Sequence, residues 1–311
     1  MKKIIIAATV LLSGMGAVAQ QDAMFTHYMF NTLAVNSGYA GSRDALTITG
    51  LHRSQWVSFP GAPTTQTLTM HTPLLNDKLG VGLSVLNDKI GPTNTTAIYG
   101  DFAYKLKVSE KAKLAFGLKG GINLMSNKLA GLKTDEGGDI AFSSNTASQL
   151  LPNFGFGMYY YSDKFYVGLS TPKLLENDYK TNTTTGTTSV ASEQRHYFLI
   201  AGTVFPIGES QKIKLKPTTF IKVTAAAPIE ADLTLTALFN DKFWAGAMFR
   251  TGDALGVLLG ANITQQLSLG YSFDWSYTNT TFKYNGGSHE IMLRYDLIYT
   301  DKGKIRSPRY F

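Results

Sequence analysis

The side chains best suited to chemistry near neutral pH are five histidines, His27, His52, His71, His196 and His289. They are scattered, and none forms the H-E-x-x-H pair that would hold a catalytic zinc. His52 and Ser54 lie two residues apart, as a base and a nucleophile on one strand face would. A Ser–His hydrolase also needs a third group to orient the imidazole, and none is identifiable from the spacing. No G-x-S-x-G elbow and no phosphate-cradling loop occurs. The expectation is therefore a protein that is not an enzyme, with no catalytic residues, no cofactor and no metal site.

The charges point the same way. Lys and Arg total 29 against 22 Asp and Glu, a formal net charge of +7, but the basic residues are spread singly along the chain. Nucleic acid, which demands a clustered basic face, is not an expected partner. Anionic lipid headgroups beside a basic surface are. Asp77, Asp163 and Asp241 read as turn residues, and the Asn-x-Ser/Thr matches at Asn94, Asn182, Asn262 and Asn279 as chance in a Thr-rich chain. There is no cysteine, so disulfides contribute nothing.

The elements that must position these residues begin with an export signal. Lys2 and Lys3 precede an apolar run from Ile4 to Val18 that ends in Ala17-Val18-Ala19, which predicts a signal peptide over residues 1–19, cleaved after Ala19. No Cys follows, so no lipoprotein is expected. No later segment has the 18 or more apolar residues of a membrane helix, which excludes a helical membrane protein.

Instead the chain repeats about ten residues of alternating apolar and small or polar side chains, then a turn. Leu267, Leu269, Tyr271, Phe273 and Trp275 alternate with Ser268, Gly270, Ser272, Asp274 and Ser276. One face suits lipid and the other a lumen lined by small residues. Such segments fall near 45–57, 62–73, 79–89, 94–107, 111–125, 151–161, 164–171, 194–206, 212–224, 231–239, 242–250, 254–263, 266–276 and 287–299. The fold class is all-β, an antiparallel up-and-down transmembrane barrel of about fourteen strands in an outer membrane.

Turn chemistry supports this. Every second connection is short and polar, as periplasmic turns are, whereas 126–150, 172–193 and 279–287 are long, as extracellular loops are. The tract Thr181 to Ser189 reads as a mobile loop tip. A soluble β-sandwich also alternates, but fits neither this length nor the aromatic residues near strand ends. Trp56, Phe59, Tyr104, Tyr159 to Tyr161, Trp244, Trp275 and Tyr299 read as interfacial girdles.

The barrel accordingly spans 45–299. Residues 20–44 carry Met24, Phe25, Tyr28, Met29, Phe30 and Tyr39, and an exported segment that apolar needs burial, either as a lumen plug or at the periplasmic rim. Residues 300–311 form a basic periplasmic tail closing in Arg309, Tyr310 and Phe311. His52, Arg53 and Trp56 lie near the first extracellular loop, where Arg and Trp commonly make protein contacts. Candidate partner or plug contacts are thus Phe25, Tyr28, Phe30, His52, Arg53, Trp56, Arg309, Tyr310 and Phe311.

Finally, the chain resembles a family. The residues that carry the resemblance are Gln21 to Asn31, Asn36-Ser37-Gly38-Tyr39-Ala40-Gly41-Ser42, His52 to Trp56, Gly61-Ala62-Pro63, Asn87-Asp88 with Gly91-Pro92, Arg195 to Phe198, Gly270-Tyr271-Ser272, Gly287 to Ile291 and Ser307 to Phe311. These resemble the PorP/SprF family of the type IX secretion and gliding machinery of Bacteroidetes. Ser37-Gly38 departs from the proline expected in the family's Asn-Pro-Ala/Gly-Tyr-Ala-Gly run. The resemblance implies an outer-membrane barrel that aids secretion or surface anchoring of a partner adhesin bearing a type B C-terminal sorting domain. It is equally compatible with a core component that binds periplasmic ring or lipoprotein components. A passive pore is the alternative outside the family.

Overall fold

The computed structural model describes residues 23–75, 77–129, 148–183, 186–209, 211–225, 227–277 and 286–298. The expected signal peptide and its cleavage site, Asn279, Tyr299 and the tail with Arg309, Tyr310 and Phe311 lie outside the described residues.

Alternation of side-chain character sends successive residues to opposite faces of a strand, and the strands form where the alternation runs. The first half of the chain gives β1 (Ala45–Ser54), β2 (Thr64–Leu74), β3 (Leu79–Ile90), β4 (Thr93–Lys107), β5 (Ala112–Asn127), β6 (Gln149–Ser162) and β7 (Phe165–Thr171). A hairpin follows, β8 (Asp178–Thr183) and β9 (Gly186–Ser192), and then β10 (His196–Thr203) and the short β11 (Phe205–Ile207). The series ends with β12 (Ile213–Thr224), β13 (Ala227–Phe239), β14 (Phe243–Arg250), β15 (Ala254–Asn262), β16 (Leu267–Ser276) and β17 (Ser288–Ile298).

Apart from β8 and β9, each strand pairs antiparallel with its neighbours, and β1 closes on β17 from Ala45↔Ile298 to Ser54↔His289. β10 and β11 both pair with β12 and act as one interrupted stave, so the closed barrel has 14 strands. The interruption falls at Val204, whose N–H turns to the carbonyl of Lys164, just before Pro206, which has no N–H to give a ladder.

The two faces differ as a membrane barrel requires. Along β2, Thr65, Thr67, Thr69 and His71 point inward and are buried, while Leu68 and Met70 point outward and are exposed. Leu118, Phe154, Leu233, Leu259 and Leu293 are 49–61% exposed on the outer wall. A soluble protein does not display so wide an apolar surface; a hydrocarbon bilayer covers it.

Two expectations need correction. Within the tract read as a mobile loop tip, the described residues 181–183 and 186–189 lie in strands: β8 and β9 pair from Asp178↔Ser192 to Thr183↔Gly186, in a sheet separate from the barrel. Thr is a good strand former, and composition alone hid the pairing. Among the girdle residues, Phe59, Tyr104 and Trp275 do lie exposed, but Tyr159, Tyr161 and Trp244 are buried on the inward face. Tyr160, between two inward tyrosines, is the outward member of that run.

Candidate functional site: the filled lumen and its outer mouth

Residues 23–44 hydrogen-bond to β2, β6, β7, β12, β13, β16 and β17, strands on all sides of a closed barrel. A segment bonded in this way occupies the lumen. It contains a helical turn, Thr32–Val35, and a 3-10 turn, Ser37–Tyr39, which together satisfy backbone groups that no sheet partner reaches.

The end of the segment nearest the long loops is held by charge. The backbone N–H groups of Thr26 and His27 donate to the two oxygens of Glu290 at 2.9 and 2.7 Å, and His27 Nδ1 lies 2.8 Å from the same carboxylate. Thr26 Oγ1 donates to Asp274 at 2.6 Å. Arg53 binds all three partners: Thr26 Oγ1 at 2.9 Å, Asp274 at 2.6 Å and Glu290 at 3.4 Å. His27, Arg53 and Glu290 are at most 1% exposed. Buried charges persist only when paired and hydrogen-bonded, so this cluster tolerates few alternative arrangements.

Polar and aromatic contacts hold the middle. The Tyr28 hydroxyl bonds Thr218 at 3.0 Å and Thr234 at 3.3 Å, and its ring stacks on Phe220. Burial pushes the Tyr28 phenol well above its ordinary value, which keeps it a hydrogen-bond donor. Asn31 donates to Thr67 and accepts from Thr69, both at 2.9 Å. Phe30 packs against Trp244, with the cations of Lys216 and Arg294 5.5 and 5.1 Å from its ring.

The 3-10 turn is seated by glycines of the wall. A Cβ on Gly117 would lie 2.3 Å from the Gly38 nitrogen, one on Gly157 2.2 Å from Asn36 Oδ1, and one on Gly80 2.0 Å from the Ala40 oxygen. Only a strand without side chains at these positions admits the segment.

At the short-turn end, Arg43 grips Asp296 through Nε at 3.2 Å and Nη2 at 2.9 Å, and Lys105 donates to the Gly41 carbonyl at 2.7 Å. Burial opposes the Arg43 charge, but Asp296 and Tyr39 outweigh it and raise the guanidinium above its usual value. Asp77, read from sequence as a turn residue, does adopt φ 67° and also accepts Lys105 and Lys113.

The lumen is therefore not the lining of small residues that alternation suggested. Besides Gly and Ser it carries compensated ion pairs, among them Lys119–Asp101 at 2.8 Å and a two-pronged Arg250–Asp232 contact at 2.8 Å.

Beyond Thr26 the described part of the segment borders a cavity of about 660 Å³ at the long-loop end, with Ala23, Met24 and Phe25 among its lining. Gln55, Trp56 and Pro63 line one side, and Glu193, Gln194 and His196 another. Since outer-membrane barrels carry their long loops outside, this is the outer mouth.

The residues singled out in the sequence thus separate. Phe25, Tyr28 and Phe30 belong to the lumen segment, and Arg53 faces inward to hold it. Trp56, at φ 45°, borders the mouth. His52 points outward, its Nε2 3.2 Å from Ser54 Oγ. Among the described residues no carboxylate contacts that imidazole. Sequence reading missed Asp274 and Glu290 as functional groups, although their inward register in β16 and β17 was a usable signal: an acid facing a closed lumen needs a partner there. It also missed Glu193 and the glycine seats, which become visible only once the segment is placed.

Among solved structures, the chain is similar in shape to the outer membrane protein Omp33 of Acinetobacter baumannii, at 12% identity and TM-score 0.46, over 83% of this chain and 100% of that one. BamA from Haemophilus ducreyi, lacking POTRA domains 1–3, matches at 8% identity and TM-score 0.42 over 81% and 71%. CdiB from Acinetobacter baumannii matches at 8% and 0.41 over 81% and 59%. No curated protein sequence matches. The family described as type IX secretion system membrane protein PorP/SprF matches residues 17–295, nearly all of the barrel and its lumen segment. The chain belongs to the PorP/SprF family of type IX secretion system membrane proteins.

Proposed function

We propose that this barrel is a closed binding platform of the type IX machinery, which holds a secreted cargo protein, such as an adhesin with a type B sorting domain, at the cell surface. The supporting observation is the lumen segment: Glu290, Asp274 and Arg53 anchor it at one end, Asp296 anchors it at the other, and the glycine seats leave no slack between. A polypeptide passing through would have to pull Thr26 and His27 off Glu290 and Asp274 at one end and Arg43 off Asp296 at the other, leaving buried charges with fewer partners. Binding at the outer mouth requires no such disruption. The protein acts by contact, not catalysis, and no cofactor enters this reading.

The test is affinity purification of the tagged barrel from native outer membranes in mild detergent, with mass spectrometry of what remains bound. A large secreted protein with a C-terminal sorting domain is the expected find. Periplasmic ring proteins alone would replace the platform reading with a core-apparatus role.

A further inference from the structure

The outer mouth contains one carboxylate whose environment differs from every ion pair described above. Glu193, 6% exposed, borders the cavity and is held by three amides: Asn123 Nδ2 donates to Oε1 at 2.9 Å, and Asn153 and Asn177 donate to Oε2 at 3.2 and 2.8 Å. No Lys, Arg or His pairs with it among the described residues. Of the cations lining the same cavity, Lys119 is committed to Asp101 and Arg250 to Asp232, each at 2.8 Å, and Lys173 makes no ion pair with Glu193.

Amides fix the orientation of a carboxylate but do not neutralise it, so the negative charge stays directed at the cavity. Of the other carboxylates on this lining, Glu230 reaches Lys222 and Arg250 at 3.3 and 3.6 Å, Asp253 reaches Arg250 at 3.5 Å, and Asp88 accepts the Thr65 hydroxyl at 2.5 Å. Elsewhere in this lumen, Asp101, Asp232, Asp274, Glu290 and Asp296 all meet a cation of the chain itself. Trp56, Val85, Met125 and Phe198 supply apolar wall, and a volume of about 660 Å³ is that of a ligand site.

We infer that the mouth binds a cationic side chain, the ammonium of lysine or the guanidinium of arginine, carried on an extended peptide, with Glu193 as its counter-ion. This deepens the platform reading by naming the chemistry a partner must present, and rests on the mouth being the binding face.

The test uses the full chain in lipid nanodiscs and a fluorescent peptide, Gly-Ser-Lys-Ser-Gly amide, beside the same peptide with acetyl-lysine. Fluorescence anisotropy should show the lysine form binding at least about tenfold tighter, the expected size of one charge-assisted contact. Glu193→Gln should erase that preference, and Asp163→Asn, in an exposed turn at the far end, should leave it intact. Should Glu193→Gln fail to fold, Gln194→Lys supplies a competing cation at the cavity wall and should weaken the lysine peptide alone. Equal affinity for the two peptides on the native barrel overturns the inference, as does a preference that survives both Glu193→Gln and Gln194→Lys. Cargo that co-purifies equally with native and Glu193→Gln barrels would sink this inference while leaving the platform reading standing.

Discussion

The His27 imidazole lies 2.8 Å from the Glu290 carboxylate, joining the lumen segment to the last strand across 263 residues of chain, with both side chains fully buried. The same carboxylate receives the Thr26 and His27 backbone N–H groups and one arm of Arg53. Glu290 therefore holds both the segment and the arginine beside it in place.

Glu290→Gln should loosen residues 23–31 at their outer end, because it removes a buried charge and leaves Asp274 as the one carboxylate beside Arg53. Breaking a buried pair of this kind costs about 3–5 kcal/mol. Hydrogen exchange on the reconstituted barrel should show the Thr26 and His27 amides losing protection while amides of β5 and β6 keep theirs. Unchanged protection at both amides would contradict the anchoring role.

Two glycines of one strand should respond oppositely to substitution. Gly117→Val drives a side chain into the Ser37–Gly38 backbone, whereas Gly120 has no atom within 4 Å of a built Cβ. The first should unseat the segment and expose it to protease, and Gly120→Ala should behave as the native chain. The pair separates a packing effect from a general intolerance of strand β5.

Alkaline pH should weaken the middle of the seat. Burial raises the folded Tyr28 phenol above its ordinary value near 10, so its contribution is complete below that pH and is lost as pH rises from there through the folded value. Tyr28→Phe should cost about 1 kcal/mol at neutral pH, through the hydroxyls of Thr218 and Thr234, and should flatten the loss of stability above about pH 10. An equally steep alkaline loss in Tyr28→Phe would assign it to other groups.

The outward face should reject charge in proportion to depth. Leu293, midway along β17 and 49% exposed, is placed to meet lipid. Leu293→Arg should cost about 2–4 kcal/mol of barrel stability in bilayers, while arginine at Phe205, near the short-turn rim, should cost about 1 kcal/mol or less. Equal costs at the two positions would contradict the membrane placement.

The strands were legible in the sequence because a barrel wall imposes period two everywhere, and lipid on one side keeps the apolar half conspicuous. β1, β16 and β17 begin and end within a few residues of where alternation put them. The contents of the lumen were less legible. Arg53 was noticed, but its partners Asp274 and Glu290 sit more than two hundred residues away, and nothing local indicates which inward acid meets which inward base. Tyr159 and Trp244 were misassigned for a related reason: aromatic residues near strand ends look alike whether they meet headgroups or a filled lumen. Register relative to the apolar neighbours decides between the two. The resemblance to PorP/SprF reached the family directly, and the family match then carried the secretion system, a connection the barrel alone does not make.

The most direct test of a closed platform is ion conduction by the full native barrel in planar bilayers, measured beside Gly117→Val. A filled, ion-paired lumen predicts that the native chain passes no steady current and that the variant opens a measurable conductance. Steady conductance from the native barrel, unchanged in the variant, would contradict the closed lumen and return the protein to the class of pores.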